Sequence, residues 1–205
     1  MKRLVLTLIL ACCTLSLAAQ EEGGIPVSFE GARPTISDFT QAVLSTVDED
    51  AEVDVDESGR AFKLAWIQHS QGLPLDEGET LTVDPKNGYV CYEYRYEKHL
   101  LRVEMCYWNE ADQQHKLIAY NVSCFEDGTY SPGQYDGLVF YRYDNAAREL
   151  TWCEAPGFDP VMGTDDGAWI SYALPRSGKD ITVTSWYPDG PRRKALHWNG
   201  RKFSY

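Results

Sequence analysis

From residue 61 to the C-terminus, apolar and polar side chains alternate along most of the chain, the period of a strand with one buried face. Strands are predicted over 61–67, 79–83, 88–96, 100–108, 115–124, 137–143, 148–154, 168–174, 180–187 and 194–198. Turn residues separate many of them: Asp84-Pro85-Lys86-Asn87-Gly88, Ser177-Gly178-Lys179-Asp180, Pro188-Asp189-Gly190 and Asn199-Gly200. One earlier segment has a different period. Ile36, Phe39, Val43 and Val47 recur at helical spacing behind Thr35 and Ser37, either of which can cap a helix. The predicted fold class is therefore mainly β: an antiparallel meander forming a sandwich or partly open barrel, with one N-terminal helix packed on it.

One hairpin can be set in register from its pattern. With Lys98-His99 as a two-residue loop, Tyr96 faces Leu101, Tyr94 faces Val103, Tyr92 faces Met105 and Val90 faces Tyr107. These eight share one side of the sheet, while Glu93, Arg95, Arg102 and Glu104 take the other. The same register puts Cys91 opposite Cys106.

The first residues follow another logic. Met1-Lys2-Arg3 is basic, Leu4 to Ala11 is apolar apart from Thr7, and small residues at Ser16, Ala18 and Ala19 precede a polar stretch. That order is a secretory signal peptide, too short and interrupted for a membrane span. The domain reading is a signal peptide over 1–19, a flexible tether over 20–33 and a single β-rich domain over 34–205. Ile9-Leu10-Ala11-Cys12 also fits a bacterial lipobox, which makes a lipid anchor at Cys12 and an outer-membrane lipoprotein the rival to a periplasmic or secreted protein.

Composition sharpens this. The chain has 205 residues, 43% hydrophobic and 24% charged, with net charge -12. Without its first 19 residues it carries 17 basic and 31 acidic side chains. Acidity on this scale argues against a nucleic-acid partner, whose phosphates call for clustered Lys and Arg. The acids concentrate early, with seven in positions 48–57, while residues 175–205 hold seven bases against Asp180 and Asp189. Four cysteines remain in the exported part, and export suggests two disulfides. The hairpin register favours Cys91–Cys106, leaving Cys124–Cys153; a core of unpaired thiols is the alternative.

Candidate chemistry is sparse. Asp54-Val55-Asp56-Glu57-Ser58-Gly59 matches the first half of a calcium loop, making Asp54, Asp56 and Ser58 candidate ligands, but Ala65 stands where the closing Glu belongs. A solvated acidic turn accounts for the same residues. Asp165 and Asp166 lie in a Gly-rich loop before Trp169. With Trp152, Trp186 and Tyr187 they form the candidate binding set, against an alternative in which the aromatics are packing residues and the acids ordinary turn formers. The four histidines lie far apart, no G-x-S-x-G, P-loop or dinucleotide fingerprint occurs, and no cofactor is expected.

The runs Asp84-Pro-Lys-Asn-Gly-Tyr89, Met105-Cys-Tyr-Trp-Asn109, Phe140-Tyr-Arg-Tyr-Asp144 and Leu196-His-Trp-Asn-Gly-Arg-Lys-Phe203 resemble uncharacterised small exported β-rich proteins of Gram-negative gut bacteria. The resemblance spans residues 84–203 through strand and turn patterns. It implies an envelope or secreted location and carries over no catalytic residue. The functional expectation is an exported, non-catalytic binding protein of the cell envelope whose ligand is a protein or glycan. A carboxylate-dependent hydrolase acting on envelope polysaccharide is the alternative, requiring two acids some 5–9.5 Å apart across a substrate.

Overall fold

The computed structural model describes residues 23–47 and 57–205. The expected signal peptide, Cys12, Asp54 and Asp56 lie outside them. Among the described residues, no helix is long and apolar enough to cross a membrane.

Helix α1, Ile36–Leu44, forms where the helical period predicted it. The Thr35 amide and hydroxyl both donate to the Asp38 carboxylate, at 2.7 and 2.8 Å, which fixes the first turn. Ile36, Phe39 and Val43 are buried, and Val47 follows the helix end half-buried. The hydroxyls of Ser45 and Thr46 turn back onto the carbonyls of Ala42 and Val43 at that end.

A second helix, α2, Glu57–Ser70, replaces the strand expected over 61–67. Phe62, Leu64 and Trp66 read as alternation, but Phe62, Ala65 and Trp66 also fit a helical stripe. Packing decides between the two periods. Phe62 stacks on Tyr92 at 5.8 Å and the Trp66 indole donates to Gln41 at 2.9 Å, while Leu64 stays 59% exposed. Ser58 and Gly59 are helical, so the positions that should bend a calcium loop belong to the first turn of α2 instead.

The large sheet contains β1 (Ile25–Pro26), β2 (Glu79–Asp84), β3 (Tyr89–Tyr96), β4 (His99–Asn109), β5 (His115–Glu126), β6 (Thr129–Tyr130), β7 (Gly137–Asp144) and β8 (Glu149–Cys153). Its order is β1-β8-β7-β5-β4-β3-β2, antiparallel throughout, with β6 folded back on β5. The small sheet is the meander β9 (Trp169–Ala173), β10 (Ile181–Tyr187), β11 (Gly190–Trp198) and β12 (Phe203–Ser204). The described residues are thus mainly antiparallel β with two helices. Ile25 and Pro26, expected in the tether, pair with Leu150 and Glu149 at the sheet edge.

The β3–β4 hairpin turns through Glu97-Lys98, with Glu97 in the left-handed region at φ 51°, and not through Lys98-His99. Val90 therefore faces Met105, Tyr92 faces Val103 and Cys91 faces Glu104. The slip is an even number of residues, so both faces keep their membership. The expected disulfides do not form: Cys91, Cys106, Cys124 and Cys153 are not bridged to one another. Cys106 pairs with Tyr89, which leaves Cys91 on a diagonal of about 8 Å, beyond disulfide reach. Cys153 is level with Ala119, two strands across and five residues along from Cys124, about 19 Å by strand spacing.

The large sheet is covered on both faces. On one, α1 and α2 pack Phe39, Phe62 and Trp66 against Val90, Tyr92, Val103, Met105, Ile118 and Tyr143. On the other, Trp108, Leu117, Ala119 and Phe140 meet Tyr172, Ile181, Leu196, Trp198 and Phe203 of the small sheet. Only one face of the small sheet is used in this way. Its opposite face carries Ser171, Thr182, Thr184, Trp186 and Arg193, and it looks toward the ends of β3, β4 and β5.

Candidate functional site

The gap between that second face and the β3–β5 ends is a cleft of about 410 Å³. Leu100, Arg102 and Phe125 supply the wall from the large sheet, and Tyr172, Thr182, Thr184, Trp186 and Arg193 supply the other. Arg95, Lys98 and His99 stand at the hairpin end. The volume lies in the range of small-ligand sites.

Trp186 is held in place from three directions. Its indole N–H donates to the Ser171 hydroxyl at 2.8 Å, Phe125 meets it edge-on at 6.2 Å and Tyr130 lies near-parallel at 6.5 Å. Trp169 is its direct cross-strand partner and is 52% exposed, so an indole surface continues from the cleft toward solvent. Arg102 lies 5.7 Å over the Phe125 ring, a cation–π contact.

The charges here divide into paired and unpaired. Arg102 and Arg95 share Glu93, at 2.7 and 3.2 Å, and Lys98 pairs with Glu126. Burial raises the Glu93 carboxyl, but the two arginines outweigh it and hold the group below its ordinary range. His99 and Arg193 have no carboxylate within ion-pair distance among the described residues. Of the described residues that line the cleft, Glu97 is the one acid, and it sits on the hairpin turn.

Inward from the cleft, one face of β4 runs Leu100, Arg102, Glu104, Cys106, Trp108. Glu104 is buried yet fully engaged. Tyr89 donates its hydroxyl to Oε1 at 2.7 Å, while the Asn121 side chain and the Leu174 amide donate to Oε2 at 3.2 and 3.3 Å. Asn121 also donates to the Tyr172 carbonyl at 3.0 Å. Burial pushes the Glu104 carboxyl above its usual range against the opposing pull of these hydrogen bonds. Because Leu174 and Tyr172 belong to the small sheet and its exit while Glu104 and Asn121 belong to the large one, this network fixes how the two sheets face each other. The cleft depends on that placement.

The predicted binding set is partly assembled. Trp186 lines the cleft and Trp169 extends it. Tyr187 donates its hydroxyl to Asp166 at 3.1 Å, Thr164 also donates to Asp166, and Arg192 lies 4.4 Å over the Tyr187 ring. Asp165 is exposed on the same loop. Trp152 stands apart, 60% exposed beside a groove formed with Cys153 and Phe158. The cleft cations and Phe125 were missed by sequence reasoning, because nothing in their spacing links 95–102 to 125 and 193. Asn121 carried a signal that can be read afterwards: it is a polar residue in step with Leu117 and Ala119 on a face that is otherwise core.

A separate cluster, Glu110, Asp112 and His115, brings three metal-ligand types within 4.8 Å. Arg142 already occupies it, bonding Glu110 at 2.6 and 2.8 Å, and His115 bonds Asp112 at 2.6 Å. The His115 contact, with backbone amides beside it, holds the Asp112 carboxyl down at about 2. The cluster is a surface charge network. No protein-family model, curated protein or solved structure matches this chain.

Proposed function

We propose that the protein is an exported, non-catalytic binding protein of the cell envelope, and that its cleft takes a glycan bearing acidic groups. The architecture behind this reading is a two-sheet sandwich with helices on its outer side. The observation that carries it is the Trp169–Trp186 pair on the free face of the small sheet, beside Arg193 and His99. Aromatic planes bind sugar rings at low entropic cost, hydroxyls such as Thr182 and Thr184 accept and donate to sugar hydroxyls, and the unpaired Arg193 selects for acid groups. Arg193 keeps a positive charge with no paired carboxylate among the described residues in a chain of net charge -12, which supports an acidic ligand. A hydrolase would need two carboxyls facing one another, and Glu97 has no such partner among the described lining residues.

The test is to apply the mature protein to immobilised acidic and neutral envelope polysaccharides. Retention of acidic chains, weakened by salt and without release of shorter products, is expected. Release of shorter products points to the hydrolase, and failure to retain any chain refutes the glycan reading.

A further inference from the structure

On the helix side of the large sheet, near its edge, lies a second pocket of about 490 Å³. Arg33, Lys116 and Arg148 all line it, and no Asp or Glu is among the described residues that do. Such a grouping is unexpected in a chain with 31 acids and 19 bases. None of the three cations has a carboxylate within ion-pair distance among the described residues. Lys116 is almost wholly buried, bonds the Asn109 side-chain oxygen at 2.5 Å and lies 4.9 Å over the Tyr107 ring. Arg148 is steadied against the Phe29 ring at 4.9 Å. Burial, and then the nearby charge of Arg33, push the Lys116 ammonium below its ordinary pKa.

A second observation points the same way. Tyr143 lines this pocket and is fully buried, yet its hydroxyl has no hydrogen-bond partner among the described residues. Buried polar groups are seldom left so. A single acceptor bearing negative charge would complement the three cations and the unused hydroxyl together. Arginine forks match the oxygens of phosphate, sulfate and carboxylate, and a buried lysine adds a point charge.

We propose that the pocket formed by Arg33, Lys116, Arg148 and Tyr143 is a binding site for a small ligand carrying a phosphate, sulfate or carboxylate group. This site is distinct from the cleft and stands whether or not the cleft binds a glycan. Asn109 and Asn145 offer side-chain amides to the rest of the ligand.

The probe is inorganic phosphate, titrated into the mature protein at low ionic strength and followed by amide chemical shifts, with sulfate and citrate as parallel arms. Saturable shifts are expected around Arg33, Asn109, Lys116, Asn145 and Arg148. The tightest of the three arms identifies the anion type. Lys116→Met should weaken binding about tenfold or more and Arg33→Ala about fivefold, as loss of a charge-assisted contact does. Arg33 is exposed, so its variant keeps the fold and remains decisive if Lys116→Met does not express. Phosphate should also raise the Tm of the wild type, and raise that of Lys116→Met less at the same concentration. Shifts that do not saturate in any arm, or an affinity unchanged by Arg33→Ala, overturn the proposal. Trp169→Ala should leave phosphate affinity untouched; a loss there would merge the two sites and overturn their independence.

Discussion

The two faces of the large sheet solve different problems. Beneath α1 and α2 the packed centre is apolar and aromatic, with Phe39 edge-on to Tyr107 and Tyr143 at 5.5 and 5.0 Å, and its unpaired charge is pushed out to the pocket at Lys116. Beneath the small sheet, polar groups occupy the middle: Glu104, Asn121 and Ser123 are buried there, between the aromatic core and the open cleft. The helix-side centre, which holds the helices onto the sheet, is filled mainly with apolar and aromatic side chains. A face that must also keep two sheets a set distance apart uses directional hydrogen bonds, which specify position at a cost in desolvation. The difference locates stability on the helix side and geometry on the other.

Substitutions can break that contrast. Phe39→Ala should have the largest effect, a loss of about 4 kcal/mol in urea unfolding, because the fully buried ring leaves a cavity the helix cannot refill. A loss below about 1 kcal/mol would mean that the helix face is not the stabilising one.

Glu104→Ala should cost about 2–3 kcal/mol by leaving Tyr89, Asn121 and the Leu174 amide without their acceptor. Glu104→Gln sharpens the point through pH. The folded carboxyl titrates above its unfolded counterpart, so the native state binds the extra proton. Its stabilising contribution is present below the unfolded pKa and is lost as pH rises through the folded one. Unfolding measured across this window should show wild-type stability falling with pH at a slope that Glu104→Gln reduces. Equal slopes would remove Glu104 from the account.

The cysteines should show a kinetic effect. Burial pushes Cys91 and Cys153 up to about 11 and Cys106 well above its ordinary value. At neutral pH their reaction with a thiol reagent should be slower than that of a free thiol by roughly a hundredfold. In denaturant all four thiols at Cys91, Cys106, Cys124 and Cys153 should titrate, and a count of zero would mean that two disulfides form. Trp169→Ala should have the smallest effect on stability, within about 0.5 kcal/mol, since the ring is half in solvent.

Periodicity carried most of the fold into view. Nine of the ten predicted strands correspond to observed ones, and Ile36, Phe39 and Val43 marked α1 correctly. The misreadings have physical causes. Phe62, Leu64 and Trp66 fit a period of two while Phe62, Ala65 and Trp66 fit a helical stripe, and packing such as the contact of Phe62 with Tyr92 decides between them. Alternation cannot detect an even slip in register, so the loop was placed one residue late and the cysteines were matched wrongly. Alternation puts Glu104 on the side opposite Tyr92 and Val103, but it reports only which residues share a side, not that this side is also covered. Of the cleft, aromatic character pointed to Trp186 and to Trp169 beside it, while Tyr187 packs against Asp166 and Arg192 instead. Arg193, Phe125 and the Arg33–Lys116–Arg148 group come together only through tertiary structure, and no local spacing announces them.

The central claim is that the free face of the small sheet binds an acidic glycan. The most direct measurement is calorimetric titration of an acidic envelope oligosaccharide into the mature wild type and into a Trp169→Ala/Arg193→Ala double variant. The account predicts saturable binding to the wild type, and at least about tenfold weaker binding to the variant at unchanged stability. Equal affinity for the two proteins, or no saturable binding to the wild type, would contradict it.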